Sequence, residues 1–257
     1  MATILPYNEI LKNINIRNTP KKALIDTCAL VSFSIDVHEF HDETFDLFET
    51  LIKHKFNIYT NVTIRSEFID YQRRVIITEA LTSLSQQIPG VLTYYELAKR
   101  LKSHRAYVQK RADEENPLVL NDAEIKQFKK ILSFKHKTIQ DVWLKFCEDN
   151  LVNNLQRTFD LISKTLKFNY LSLRKENLSP EVIRNVDWNK MCNISERTGM
   201  SVNGSMICHM FECIDVPFLI TADFDLIYAT ALSKEPKLVL CPEKIFNEYK
   251  KIFEIPS

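Results

Sequence analysis

The stretch Lys22-Ala-Leu-Ile-Asp26 decides the fold. It is a short apolar run that ends in an acid, which is typical of a buried strand in a parallel sheet. A helix is predicted to follow through Ala29 and Val31. The next segment, Asp42–Lys53, carries its apolar residues at helical spacing and predicts a second helix.

The same alternation of strand and helix continues in two other parts of the chain. Phe56–Thr60 predicts a second strand, and Asn61 is suited to cap the helix that follows it. Near the end, Ser201–Cys213 predicts an apolar helix, and Val216–Thr221 and Lys237–Cys241 predict a third and a fourth strand. Alternating strands and helices imply parallel pairing with right-handed crossovers, so we expect an α/β fold.

The middle of the chain, from about Val75 to Trp188, has a different pattern. It contains no convincing strand, and its apolar and aromatic stripes are interpreted as the core of several helices. Asn121-Asp-Ala-Glu124 has the form of a capping box at a helix start. Ser179-Pro180-Glu181 also predicts a helix start, with serine as the cap and proline in the first turn.

Composition sets broad limits. Hydrophobic residues make up 45% and charged residues 26% of the 257, as in a soluble globular protein. We expect a cytoplasmic protein without a membrane partner, because no signal peptide or long apolar run is evident. The six cysteines predict reduced thiols, and buried side chains explain Cys208, His209 and Cys213 better than a zinc site does.

Positive charge is concentrated in one part of a nearly neutral chain. Between Lys99 and Lys137 there are eleven basic and five acidic residues, although the net charge of the whole chain is only +1. Nucleic-acid contact and solvated helix faces both explain such a run. The candidate contacts for a nucleic-acid backbone are Arg73, Arg74, Arg105, Lys110 and Arg111.

Four acids follow predicted strands or begin a predicted helix. In an open parallel sheet, ligands bind at the carboxyl ends of the strands. We expect Asp26, Asp223 and Asp225 at that edge, and Glu67 can face the same edge from the helix that carries it. Each acid alone has a structural explanation as a helix cap, an Asx-turn or an exposed helical acid. Together they predict a carboxylate cluster whose repulsion is relieved by Mg²⁺ or Mn²⁺.

These segments together resemble the PIN-domain ribonucleases. The resemblance is carried by Ala23-Leu-Ile-Asp-Thr-Cys-Ala-Leu30, Tyr59-Thr-Asn-Val-Thr-Ile-Arg-Ser-Glu67 and Ile220-Thr-Ala-Asp-Phe-Asp225. It implies a three-layer α/β/α fold with a central parallel sheet. It also implies that Asp26, Glu67, Asp223 and Asp225 bind metal and catalyse phosphodiester hydrolysis, with Thr27 and Thr221 as supporting residues.

The chain departs from the family pattern at one acidic position. The family places another Asp in the helix before the closing strand, and here Gly204 occupies that position. Asn203 and Ser205 are neutral neighbours that could substitute only in part. An engineered Asp→Gly replacement and a naturally weakened domain both explain the glycine.

The resemblance predicts a single PIN-like domain formed by residues 1–75 and 189–257, with a helical insertion at 76–188. The insertion is interpreted as an RNA-contacting face or as a module for a protein partner or a homodimer. A simple toxin with an antitoxin partner is less favoured, because compact PIN toxins are shorter. The expected function is an endoribonuclease acting on single-stranded or unpaired RNA. The alternatives are an inactive RNA- or protein-binding module and, less favoured, a phosphatase.

Overall fold

A computed structural model describes residues 2–17, 19–36, 38–87, 119–133, 139–233 and 235–253. The chain forms two compact units. The sheet unit comprises Met1–Asp36, Phe40–Glu67 and Ile162–Ser257, and the helical unit comprises Val37–Glu39 and Phe68–Leu161. Residues 162–188, which the sequence analysis placed in the insertion, therefore belong to the sheet unit.

The sheet unit contains six strands, and every pairing between them is parallel. Their order across the sheet is β1-β6-β5-β2-β3-β4. The predicted α/β class is thus confirmed. The bounds are β1 Thr3–Pro6, β2 Lys22–Ile25, β3 Asn57–Thr60, β4 Asn169–Tyr170, β5 Phe218–Ile220 and β6 Leu238–Cys241.

The four predicted strands correspond to β2, β3, β5 and β6, and the two edge strands were not predicted. β1 ends in Pro6, which cannot donate to a ladder and is tolerated at an edge. β4 has only two residues, both exposed, so it carries no alternating or apolar pattern. The expectation that residues 75–188 contain no strand was therefore wrong.

Within the described residues the structure has eleven α-helices. None of them is both long enough and apolar enough to cross a membrane. Two short 3₁₀ turns lie at Tyr7–Glu9 and Lys175–Asn177. The helices are α1 Ile10–Arg17, α2 Thr27–Ser34, α3 His41–Lys53, α4 Val62–Gln87, α5 Asp122–Ser133, α6 Ile139–Leu151, α7 Arg157–Leu166, α8 Trp188–Thr198, α9 Val202–Cys213, α10 Phe224–Ala231 and α11 Glu243–Phe253.

Two predicted helix caps are confirmed. Asn61 Oδ1 accepts a hydrogen bond from the Ile64 amide at 2.8 Å and so caps α4. At the start of α5, Asn121 Oδ1 accepts from the Glu124 amide at 3.0 Å, and Glu124 Oε2 accepts from the Asn121 amide at 2.8 Å. This reciprocal pair is the capping box that the sequence predicted.

The helix start predicted at Ser179 was wrong. The Ser179 hydroxyl accepts a hydrogen bond from the Ser172 amide at 2.8 Å, so it is not available as a cap, and residues 180–181 form a turn. The next helix is α8, whose cap is Asp187: its Oδ1 accepts from the Asn189 amide at 2.9 Å.

Each unit has its own apolar core. In the sheet unit, β5 and β6 are buried along their whole length, as expected for central parallel strands covered on both faces. In the helical unit, a separate cluster joins α4, α5 and α6 through Ile77, Leu81, Leu120, Ile125, Phe128 and Phe146.

The strand order reverses between β2 and β5. After β2 the chain adds β3 and β4 on one side, whereas β5 and β6 lie on the other side. Ile25 pairs with Ile220, and the Asp26 amide donates to the Ile220 carbonyl at 2.9 Å. Such a reversal opens a crevice outside the carboxyl ends of the strands, which is where open α/β sheets bind ligands.

Asn61→Ala should lower the free energy of unfolding by about 0.5–2 kcal/mol, because the first turn of α4 loses its cap. Asn61→Ser is the matched control, since a serine hydroxyl can still accept from the helix amides. Urea denaturation followed by circular dichroism measures the difference. Equal stability of the alanine and serine variants would contradict the assigned cap.

Candidate functional site

Asp26 lies at the carboxyl end of β2 and caps the helix that follows. Its side chain accepts from the Cys28 amide at 3.3 Å. The same oxygen accepts from the Thr221 hydroxyl at 2.8 Å, across the β2–β5 junction. Although it is acidic, Asp26 is only 3% exposed. A carboxylate that caps a helix does not need to be buried, so capping alone does not explain the burial of Asp26.

Asp223 lies beside Asp26 at the end of β5 and is also a helix cap. Its Oδ1 accepts from the amides of Asp225 at 2.8 Å and Leu226 at 3.4 Å. The Asp223 amide donates to the Thr221 hydroxyl oxygen at 2.9 Å. Thr221 therefore links the two acids, since it accepts from the backbone of one and donates to the carboxylate of the other.

Glu67 reaches the same end of the sheet from the second turn of α4. Its Oε2 accepts a hydrogen bond from the Thr27 hydroxyl at 2.8 Å. Thr27 directly follows Asp26, so this bond joins α4 to the end of β2. The two supporting threonines named from the sequence, Thr27 and Thr221, thus each hold one acid.

Asp223 and Glu67 both act electrostatically on Asp26. The pKa of Asp26 is raised from 3.8 to about 6, chiefly by burial and also by the charges of Asp223 and Glu67, while the Thr221 hydrogen bond opposes the shift. Burial also raises the pKa of the Cys28 thiol, with added contributions from the same three carboxylates. Asp26, Asp223 and Glu67 therefore form one acidic cluster, called here the carboxylate cluster.

Asp225 contributes less directly than the sequence predicted. It is exposed in the first turn of α10, where its amide donates to Asp223. The pKa of Asp223 is raised by burial and also by the charge of Asp225, while the two amide hydrogen bonds lower it. Asp225 thus affects the cluster through the effect of its charge on the pKa of Asp223.

The helix α9 carries the position where an acid was expected. Ser201 caps α9 by accepting from the Gly204 amide at 3.1 Å. A Cβ at Gly204 would lie 2.9 Å from Met200 Cγ and 3.0 Å from Met200 Sδ. Met200 is 4% exposed, so its side chain already occupies the space that an acid would need.

The two neutral neighbours of Gly204 differ in environment. Asn203 is exposed, whereas Ser205 is buried. The Ser205 hydroxyl has no hydrogen-bond partner within the described residues.

Of the five basic residues proposed to hold nucleic acid, two are described. Arg73 forms ion pairs with Asp70 at 2.8 Å and Asp122 at 2.6 Å, so two carboxylates match its charge. Arg74 pairs with Asp70 at 3.5 Å. Arg105, Lys110 and Arg111 lie outside the described residues.

The donor atoms fit a hard cation, although they do not form a closed cage. In the part of the chain that the structure describes, no group of three His, Cys, Asp or Glu side chains stands ready to hold a metal ion. Mg²⁺ needs only one or two direct carboxylates and keeps several waters. Asp26 and Asp223 would be the two carboxylates of the cluster available to such an ion.

The Cys208, His209 and Cys213 segment forms a hydrogen-bonded structural cluster. His209 Nε2 accepts from the Asp187 amide at 3.1 Å, and Nδ1 lies 3.2 Å from Glu212 Oε2. Both ring nitrogens are thus engaged by protein groups.

Comparisons with known proteins add no relative. No protein-family model matches the chain, and searches of curated proteins and of solved structures returned no significant match.

Asp26→Asn should stabilise the protein at neutral pH when divalent metal is absent. The pKa of Asp26 is higher in the folded protein than its ordinary value, so ionisation weakens folding as pH rises from 3.8 to about 6. At about 1.4 kcal/mol per pKa unit, the cost above pH 6 is about 3 kcal/mol. Asparagine carries no charge and keeps an acceptor for Thr221.

Thermal unfolding in EDTA at pH 4 and at pH 7.5 measures this effect. The Asp26→Asn variant should have a higher Tm than the unmodified chain at pH 7.5 and a much smaller advantage at pH 4. Asp225→Asn is the matched control at an exposed position. If Asp26→Asn raised the Tm equally at both pH values, the conclusion that ionised Asp26 destabilises the folded protein would be contradicted.

Proposed function

We propose that the chain is a metal-dependent endoribonuclease of PIN type that acts on single-stranded or unpaired RNA. The observation that carries the proposal is the carboxylate cluster at the strand-order reversal, where the charges of Asp223 and Glu67 raise the pKa of Asp26 and all three acids raise the pKa of the Cys28 thiol. The parallel sheet with helices is compatible with the three-layer arrangement of that family. The site, rather than the fold, supports the function.

Three acids and two threonines form the proposed cation site. Asp26 and Asp223 offer carboxylate oxygens, and Glu67 adds a third negative charge beside them. Mg²⁺ or Mn²⁺ supplies Lewis-acid chemistry that activates water and offsets charge developing on a phosphodiester. Thr221 and Thr27 fix the orientation of Asp26 and Glu67, because each hydroxyl donates to one carboxylate.

Burial makes the cluster responsive to a cation. Three carboxylates near one another are costly while they remain ionised, and protonation or a bound cation relieves the repulsion. Because the pKa of Asp26 is about 6, its proton is lost at neutral pH and the carboxylate is then ready to bind metal. No covalent protein nucleophile is part of this proposal.

The basic residues remain a separate part of the proposal. Arg105, Lys110 and Arg111 would hold the RNA backbone and give a salt-dependent affinity. Arg73 and Arg74 have a sufficient structural role, since both pair with Asp70. A protein partner and a homodimer stay predictions.

A second candidate function is an inactive PIN-fold module that binds RNA or protein. The observation that favours it is the packing at Gly204, where the buried Met200 side chain fills the space of the missing acid. A metal site with one fewer carboxylate binds its cation more weakly. The retained Asp26, Glu67 and Asp223 favour the nuclease instead.

Gly204→Asp should increase Mn²⁺-dependent cleavage of a mixed-structure RNA. Because changes in the groups around a metal alter activity about 10- to 100-fold, we expect a gain of at least about 10-fold. Methionine is flexible, so Met200 can turn aside to admit the new side chain. Gel analysis of a labelled RNA measures the cleavage.

Two further variants make the result specific. Gly204→Asn has the same shape without the charge and should give no gain. Adding Asp26→Asn to Gly204→Asp should abolish cleavage. If none of these proteins cleaves several RNA and DNA substrates, the nuclease proposal is wrong and the binding module takes its place.

A further inference from the structure

Tyr170 occupies an unusual position near the carboxylate cluster. It is the last residue of β4 and pairs with Thr60 at the end of β3. β3 in turn pairs with β2, with Tyr59 opposite Leu24. Neighbouring strands lie about 4.8 Å apart, so the Tyr170 backbone is about 10 Å from the end of β2, where Asp26 follows.

The backbone of Tyr170 is fixed while its ring is accessible. The Leu171 amide donates to the Thr60 carbonyl at 2.8 Å, and Asn169 Nδ2 donates to the Ile58 carbonyl at 3.4 Å. The flanking residues thus attach β4 to the sheet. Tyr170 itself is 44% exposed, so a fixed aromatic group stands at the carboxyl edge of the sheet.

An arginine lies beside this ring. The guanidinium carbon of Arg65 is 5.9 Å from the centre of the Tyr170 ring. Arg65 is in the first turn of α4, the helix that also carries Glu67 on a different face. Val62 precedes Arg65 by one helical turn and is 75% exposed.

Each of these features alone has an ordinary explanation. Single exposed apolar residues are common, and an edge strand exposes its side chains. The combination differs, because an aromatic ring and a guanidinium meet at the carboxyl edge of the sheet, about 10 Å from the end of β2. Single-stranded nucleic acid is bound by this chemistry: bases stack on aromatic rings, and arginine contributes cation–π and phosphate contacts.

We propose that Tyr170 and Arg65 form a stacking platform for an unpaired base of single-stranded RNA. The proposal deepens the nuclease proposal, since the platform would hold the strand close to Asp26 and Asp223. A base within a duplex is already stacked and cannot lie on the tyrosine ring, so the platform selects unpaired strands. Stacking tolerates every base, and we therefore expect weak sequence preference at this position.

The test measures binding without cleavage. Fluorescence anisotropy in EDTA gives the Kd for a single-stranded RNA, and 2-aminopurine placed at successive positions reports stacking on the ring by quenching. Tyr170→Ala should weaken binding about 10-fold and remove the quenching. Tyr170→Phe should retain both, because the aromatic face remains.

Two further variants and a modified RNA separate the loss of stacking from a general loss of structure. Trp188→Ala removes another exposed aromatic, 58% exposed at the start of α8, and should leave Kd and quenching unchanged. Arg65→Gln keeps a polar side chain without charge and should weaken binding and reduce the salt dependence. An RNA that lacks the base at the quenched position should have the same Kd for the Tyr170→Ala and the unmodified proteins.

The outcomes distinguish this inference from the nuclease proposal. Unchanged Kd and unchanged quenching in Tyr170→Ala would overturn the platform, even if Asp26-dependent cleavage is found. Tyr170-dependent quenching without any cleavage would support the platform and overturn the nuclease. Failure of the unmodified protein to bind any single-stranded RNA would overturn the platform directly.

Discussion

The parallel pairing of β2 with β5 brings together segments 195 residues apart, as the Thr221–Asp26 hydrogen bond records. β2 and β5 end at the same level of the sheet, so two acids and a threonine lie close together where the strand order reverses. Glu67 joins them through the Thr27 hydroxyl. Every other property of the site depends on this pairing, because without it Asp26 and Asp223 would each be ordinary helix caps.

Capping and metal binding make different demands on the same carboxylates. Amide and hydroxyl donors hold Asp26 and Asp223 in place and lower the pKa of each, whereas burial raises both values. The net shift of Asp26 is upward, so desolvation and mutual repulsion exceed the effect of the hydrogen bonds. In the proposed function a bound cation would offset this cost, and the hydrogen-bond donors that now hold the two carboxylates would orient them toward it.

Much of the site could be predicted from the sequence because its residues follow strong local signals. Asp26 ends an apolar strand, and Asn61 caps the helix that carries Glu67. Other features depend on distant partners. β4 is too short to leave a pattern, so neither its pairing nor the place of Tyr170 could be foreseen, and the Arg73 charge is matched by Asp122, 49 residues away. The blocked space at Gly204 depends on how the Met200 side chain packs, which no sequence pattern records.

Calorimetric titration with Mn²⁺ at pH 7.5 tests most directly whether the carboxylate cluster holds a divalent cation. We expect saturable binding that Asp26→Asn abolishes and that Asp225→Asn, at an exposed position, weakens only slightly. Mg²⁺ should compete for the same site. Absence of binding, or binding that persists unchanged in Asp26→Asn, would contradict the assignment of a metal to this edge of the sheet.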